Sequence, residues 1–232
     1  MIAMKRILVA LLLLTGCYGA FAQDVIKHQR GEDLQQYLLD SVKFVSKDYT
    51  SGFVKFRDGS HAMGPVNIST IEQRIYFINP EGEIQVLANE DQVSYVTFNK
   101  RTFIKSTYGY VELLTTSDKA SLGAVRRVSF LESEKKGAFG MVSQTTSITT
   151  MNTYLEGGNM YTLSVNQNTP YKYKVIPYFY RNEKVLMSTK KNLIKCFPEK
   201  KAFIEGYLKE HPVDFENFEE VSQLFDAVLK AE

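Results

Sequence analysis

Val93-Ser94-Tyr95-Val96-Thr97-Phe98-Asn99-Lys100-Arg101-Thr102-Phe103-Ile104-Lys105 decides the fold. Two short runs rich in β-branched and aromatic residues flank Asn99-Lys100, a pair suited to a tight reversal, so the segment reads as two antiparallel strands. The same grammar extends in both directions. Upstream, Phe53, Val54 and Phe56 lead into Asp58-Gly59, and Val66–Ile68, Arg74–Ile78 and Ile84–Leu87 follow, the last two separated by Asn79-Pro80-Glu81-Gly82. Downstream come Tyr110–Leu114, Ser121–Val125 and Val128–Leu131. Strands at this spacing without helical patterns between them predict an antiparallel twisted sheet, sandwich or partial barrel. In Arg74–Ile78 and Tyr110–Leu114 apolar residues occupy both faces, so something must cover the sheet on its second side.

Before these strands the pattern is mixed. Leu34, Tyr37 and Leu38 have helical spacing, and Val42 and Phe44 predict a strand starting there. After residue 188 the chain turns helical. Thr189–Phe197 predicts a short helix stopped at Pro198, and Phe203, Ile204, Tyr207 and Leu208 line a second one ending near His211. Asn217 caps a third, with Glu220 completing a capping box and Val221, Leu224, Phe225, Val228 and Leu229 forming a buried stripe. The expected class is α+β: a mainly antiparallel β region over 23–188, with a helical region over 189–232 packed on the same domain.

Lys5 and Arg6, the apolar run Ile7–Leu14 and Ala20-Phe21-Ala22 have the order of a secretory leader cut after Ala22, giving an exported protein, periplasmic or secreted. Leu14-Thr15-Gly16-Cys17 offers a competing lipobox, which would make Cys17 a lipid anchor and the protein an outer-membrane lipoprotein. The residues after Cys17 are not the usual polar tether, which favours the cut after Ala22. No later stretch is long and apolar enough for a transmembrane segment. With the leader removed, the 26 Asp and Glu residues are balanced by as many Lys and Arg. Such neutrality argues against a nucleic-acid partner.

Candidate chemistry is sparse. Two cysteines and three histidines exclude a disulfide framework and predict no metal site, and no motif calls for a cofactor. Cys196, among Leu193, Ile194 and Phe197, reads as buried rather than nucleophilic. Asp58, Ser60 and His61 are superficially triad-like, but one tight turn rarely aims three side chains into a relay. His28 lies near the start of the mature chain, in a segment expected to fray, and His211 stands at a helix end. No residue is assigned a catalytic role.

The binding candidates lie in Tyr171–Tyr180. Alternation places Tyr171, Tyr173, Val175 and Phe179 on one face and Lys172, Lys174, Ile176, Tyr178 and Tyr180 on the other. Tyr171, Lys172, Tyr173, Lys174, Tyr178 and Tyr180 could stack on a ligand or partner, while ordinary β composition explains the same run. Pro177, lacking an N–H, predicts an edge strand or a bulge. The irregular stretch 133–158 is long enough to be functional or mobile, the plain alternative being an excursion with no role or two threonine-rich edge strands.

Phe53–Gly59, Tyr110–Leu114, the leader ending Ala-Phe-Ala-Gln, and Phe197–Lys201 followed by a helix and Asp214-Phe215 resemble a group of uncharacterised exported proteins of Gram-negative bacteria. The resemblance implies export and a β-rich body with a helical end; it implies no activity and no functional residue. The expected function is a non-enzymatic protein binding an envelope component or protein partner through its β surface and the 133–158 loop. The alternatives are an unrecognised hydrolase, or a carrier of a small apolar ligand or lipid.

Overall fold

The computed structural model describes residues 24–29, 33–130, 153–156, 159–162 and 166–231. The leader, Cys17 and most of the 133–158 stretch lie outside the described residues. The molecule is α+β, mainly antiparallel sheet with helices at the carboxy-terminal end. The strands are β1 (Asp24–Gln29), β2 (Thr50–Phe56), β3 (His61–Ile68), β4 (Ile75–Ile78), β5 (Ile84–Val86), β6 (Val93–Phe98), β7 (Arg101–Ser106), β8 (Gly109–Thr116) and β9 (Ser121–Phe130). They continue with β10 (Thr153–Glu156), β11 (Asn159–Thr162), β12 (Asn166–Arg181) and β13 (Lys184–Met187). The helices are the single turn α1 (Asp40–Lys43), then α2 (Lys190–Cys196), α3 (Lys201–Glu210) and α4 (Phe218–Lys230).

One sheet runs β1-β12-β9-β8-β7-β6-β2-β3-β4-β5, with β13 also on β12, and β10 and β11 form a separate pair. The turns follow local chemistry. Asn99 and Lys100 both take positive φ (51° and 60°), as do Asn182 and Glu183 (49° and 59°), the geometry of tight hairpins whose twist matches their strands. Where strands were expected at 121–125 and 128–131, a single β9 runs through, because Arg126 and Arg127 interrupt the apolar pattern without ending the ladder.

Register places Val54, Val96, Phe103, Glu112, Ala124 and Pro177 in one row across six strands, hence on one face. That face carries three clusters. Ile75 of β4 and Tyr110 of β8 share one of them, although they are five strands apart, roughly 24 Å in a flat sheet. The sheet therefore rolls back on itself. The turn after β3 touches the far strands: Val128 N–H donates to Thr70 O (3.1 Å), Tyr110 N–H to Gln73 Oε1 (3.3 Å), and Gln73 Nε2 to Arg126 O (2.9 Å). A second cluster joins Ile26, Leu38 and Val128. In the third, Leu193, Cys196, Ile204, Leu224 and Phe225 of the helices pack on Leu122 and Phe179. Val111 and Val125, on the opposite face, are fully buried as well, so this part of the sheet is covered on both sides.

The start of the chain departs from expectation. Residues 24–29 form β1, paired with β12, so the backbone of His28 sits opposite Gln167 rather than in a frayed end. Only Phe44 makes a bridge, to Ser69, where a strand was expected from Val42. At the other end, Thr189 Oγ1 accepts from Asn192 N–H at the start of α2, and Asn217 Oδ1 from Glu219 and Glu220 N–H at the start of α4. The reciprocal bond of the expected capping box is not made: the Asn217 N–H donates to Asp214 O, and the Glu220 carboxylate accepts instead from Asn217 Nδ2 and the Asp214 N–H. Lys200 Nζ, unforeseen, donates to the carbonyls of Val228 and Ala231 at the other end of α4 (2.8 and 2.7 Å). Among the described residues no helix is long and apolar enough to cross a membrane.

Candidate functional site: an open stretch of strand β12

β12 is 16 residues long, and its two partners on the side away from β9 are short. β1 is described from Asp24, opposite Tyr171, and β13 ends at Met187, opposite Tyr178. Positions 172–177 between them are paired with β9 alone among the described residues.

The β12–β13 turn settles which backbone groups face this gap. With both turn residues at positive φ, Arg181 and Lys184 close the hairpin as a hydrogen-bonded pair. Every second residue back along β12 then directs its N–H and C=O the same way: Phe179, Pro177, Val175 and Tyr173. The gap thus displays N–H and C=O of Tyr173 and Val175 and the C=O of Pro177. Pro177 is where a proline does least harm, since its missing N–H takes nothing from the ladder to β9. Among the described residues Pro177 has a strand on one side only, the edge position anticipated for it, and the β9 register has no bulge there.

A groove of about 780 Å³ runs beside the gap, lined by Lys174–Tyr178, by Met187 and Ser188, and by Asp214–Glu219 leading into α4. Phe215 and Phe218 anchor that loop on the helix cluster. Asp214, Glu216 and Glu219 are exposed along its rim. Neither they nor Lys172 and Lys174 have an ion-pair partner among the described residues. The Ser188 hydroxyl is buried with no hydrogen-bond partner in the described structure.

The six tyrosines and lysines expected to bind fall on both faces of β12. Tyr171 packs with Phe130 in the amino-terminal cluster, and burial, followed by the charge and hydrogen bond of Asp24, raises its pKa. Tyr173 is 40% exposed and bonds Arg126. On the other face Lys172 and Lys174 are exposed, while the Tyr178 ring meets Tyr108 at 4.9 Å, which buries it and raises its pKa. Burial, then Glu183, does the same for Tyr180. They form no single stacking platform. What joins them is the backbone between them, a feature that composition does not reveal.

Other candidates resolve differently. Asp58 Oδ1 accepts from both the N–H and the hydroxyl of Ser60 (2.8 and 2.6 Å), and His61 stacks on Phe53 at 5.2 Å, so the three are not in relay order. Cys196 is fully buried and its thiol is pushed up by that burial. The His211 ring packs on Tyr207 (4.8 Å). Among the described residues no group of three or more metal-ligating side chains is placed to hold an ion. A second, apolar cleft of about 600 Å³ lies between β2, β3 and β4, lined by Val54, Met63, Val66, Ile75, Phe77 and Leu87.

A buried ionic cluster lies between the three apolar ones. Glu112, 5% exposed, takes a two-pronged contact from Arg101 (2.6 and 2.8 Å) and a bond from Arg126 (3.0 Å). Arg101 also donates to Val45 O (2.8 Å). Burial pushes the Glu112 carboxyl up, but the hydrogen bonds and charges of Arg101 and then Arg126 outweigh it and hold the carboxyl below its ordinary value. The cluster ties β7, β8 and β9 to one another and to the backbone at Val45. Comparison of the chain with protein-family models, with curated proteins and with solved structures finds no match.

Proposed function

We propose that this chain is an exported, non-enzymatic binding protein that holds an extended segment of a protein partner along the open stretch of β12. The observation that carries this reading is that positions 172–177 pair with β9 alone among the described residues, so that backbone donors and acceptors of a twisted sheet line a groove there; the proposed leader cut after Ala22 leaves no more than Gln23 to continue β1 along them. A strand added to such an edge gains main-chain hydrogen bonds at once, and the flanking side chains select among sequences. Peptide display on the chain beginning at Gln23, with counter-selection on Val175→Pro, tests it. The substitution removes a gap-facing N–H and leaves the bonds to β9 in place. Peptides enriched on the parent and lost on the variant support the proposal; equal enrichment on both refutes it.

The apolar cleft between β2, β3 and β4 favours a second reading, a carrier of a small apolar ligand. Native mass spectrometry of the purified chain tests this, and a spectrum holding only the bare protein mass counts against it.

A further inference from the structure

We infer that the segment held at this edge runs antiparallel to β12, with basic side chains on one face and acidic side chains on the other. This rests on the proposed use of the gap and adds the chemistry of its occupant. Direction follows from the neighbours: β1 and β13 both lie antiparallel to β12 in the row that the segment would complete. Six positions have no neighbour on this side among the described residues, on the order of 20 Å of extended chain.

The charge pattern follows from the two walls. Side chains of an added strand alternate across the sheet, each beside the β12 residue it opposes. Residues opposite Tyr173 and Val175 point to the helix side, where Asp214, Glu216 and Glu219 rim the groove. Residues opposite Lys172 and Lys174 point to the other side, beside those two lysines. A strand alternating Lys or Arg with Asp or Glu meets opposite charge on both faces, and one with both signs mixed on each face does not.

The probe is an acetylated ten-residue peptide whose central six residues alternate lysine and glutamate. Its isomer with the lysines and glutamates in two blocks has equal composition and net charge. Titrated into the chain beginning at Gln23 at low salt, the alternating peptide should bind roughly tenfold tighter. Combining Glu216→Lys with Glu219→Lys should erase that preference. Backbone methylation separates the directions. In an antiparallel pair the lysines, opposite Tyr173 and Val175, turn their N–H toward β12, so N-methyl-lysine abolishes binding and N-methyl-glutamate does not. The reverse pattern overturns the antiparallel assignment. Equal binding of the two isomers, still lost in Val175→Pro, overturns the charge pattern and leaves the proposed function standing. A dimer in solution that Val175→Pro splits, with no peptide bound, overturns both in favour of a second copy of the chain.

Discussion

Replacing Glu112 by Gln tests whether the centre of the molecule is organised as described. The substitution keeps shape and removes the charge that faces Arg101 and Arg126. Breaking a buried ionic group by removing one member typically costs ~3–5 kcal/mol, because the remaining charge stays desolvated. Here Arg101 and Arg126 retain 24% and 26% of their side-chain exposure, so water recovers part of the loss. The expected cost is therefore at the lower end, about 3 kcal/mol, or roughly 6–12 °C in Tm for a chain of this length. Urea unfolding followed by circular dichroism and tyrosine fluorescence measures it; there is no tryptophan. The pH dependence adds a second reading. The folded carboxyl lies below its unfolded value, so its contribution is complete above the usual carboxylate range of ~4.3. It fades as pH falls through the depressed folded value, and the difference between parent and Glu112→Gln should close over that interval. Exchanging all three members for Met, Leu and Met should recover most of the loss. A cost below about 1 kcal/mol, or a difference unchanged by pH, would refute the reasoning.

Gly123→Ala would set a Cβ 2.6 Å from Val111 Cγ1 and 2.7 Å from Glu112 O, and this overpacking should cost ~1–3 kcal/mol in a thermal melt. Lys200→Met leaves carbonyls at the end of α4 without their donor and should cost ~1–2 kcal/mol, with faster amide exchange confined to the last turn. Cys196 should resist a thiol reagent in the native state and react at a rate that follows urea unfolding, since burial hides the thiol and disfavours its thiolate. Tyr49 is pushed up to about 12, first by burial and then by Asp40, and its hydroxyl has no hydrogen-bond partner in the described structure. Tyr49→Phe should be neutral at pH 7 and should reduce the stability lost as pH climbs from ~10 toward the folded value.

Local chemistry made much of this architecture legible. Asn99-Lys100 and Asn182-Glu183 announce reversals because each begins with an asparagine, which tolerates positive φ; Lys100 and Glu183 follow it there. Thr189 and Asn217 announce helices because their side chains bond the first free N–H groups. What stayed hidden is non-local. β1 holds only Val25 and Ile26 among polar residues and becomes a strand because β12 is there to pair with it. Arg126 looked like an interruption between two strands because its partner Glu112 is 14 residues away in sequence. Tyr171–Tyr180 was legible as a strand with unusual aromatic content, and Pro177 as an edge residue. The gap among the described residues depends on how far β13 follows β12, and Asp214, Glu216 and Glu219 join it only through the docking of α4.

A sheet edge without a neighbour invites indiscriminate association, and the residues around positions 172–177, unpaired on one side among the described residues, limit that. Lys172 and Lys174 place positive charge along it, and a second copy approaching edge to edge would bring the same lysines face to face. Pro177 withholds one donor, so a strand that needs a full ladder finds it broken at that end. Among the described residues β1 and β13 leave six positions without a neighbour, too few for the long pairing that drives aggregation. These features weaken pairing with arbitrary strands, while the gap-facing N–H and C=O groups of Tyr173 and Val175 have no strand partner among the described residues. The proposed binding role needs both properties at once. A merely protected edge could have been closed by extending β13 past Met187, whereas here the chain turns away at Ser188 and leaves a groove.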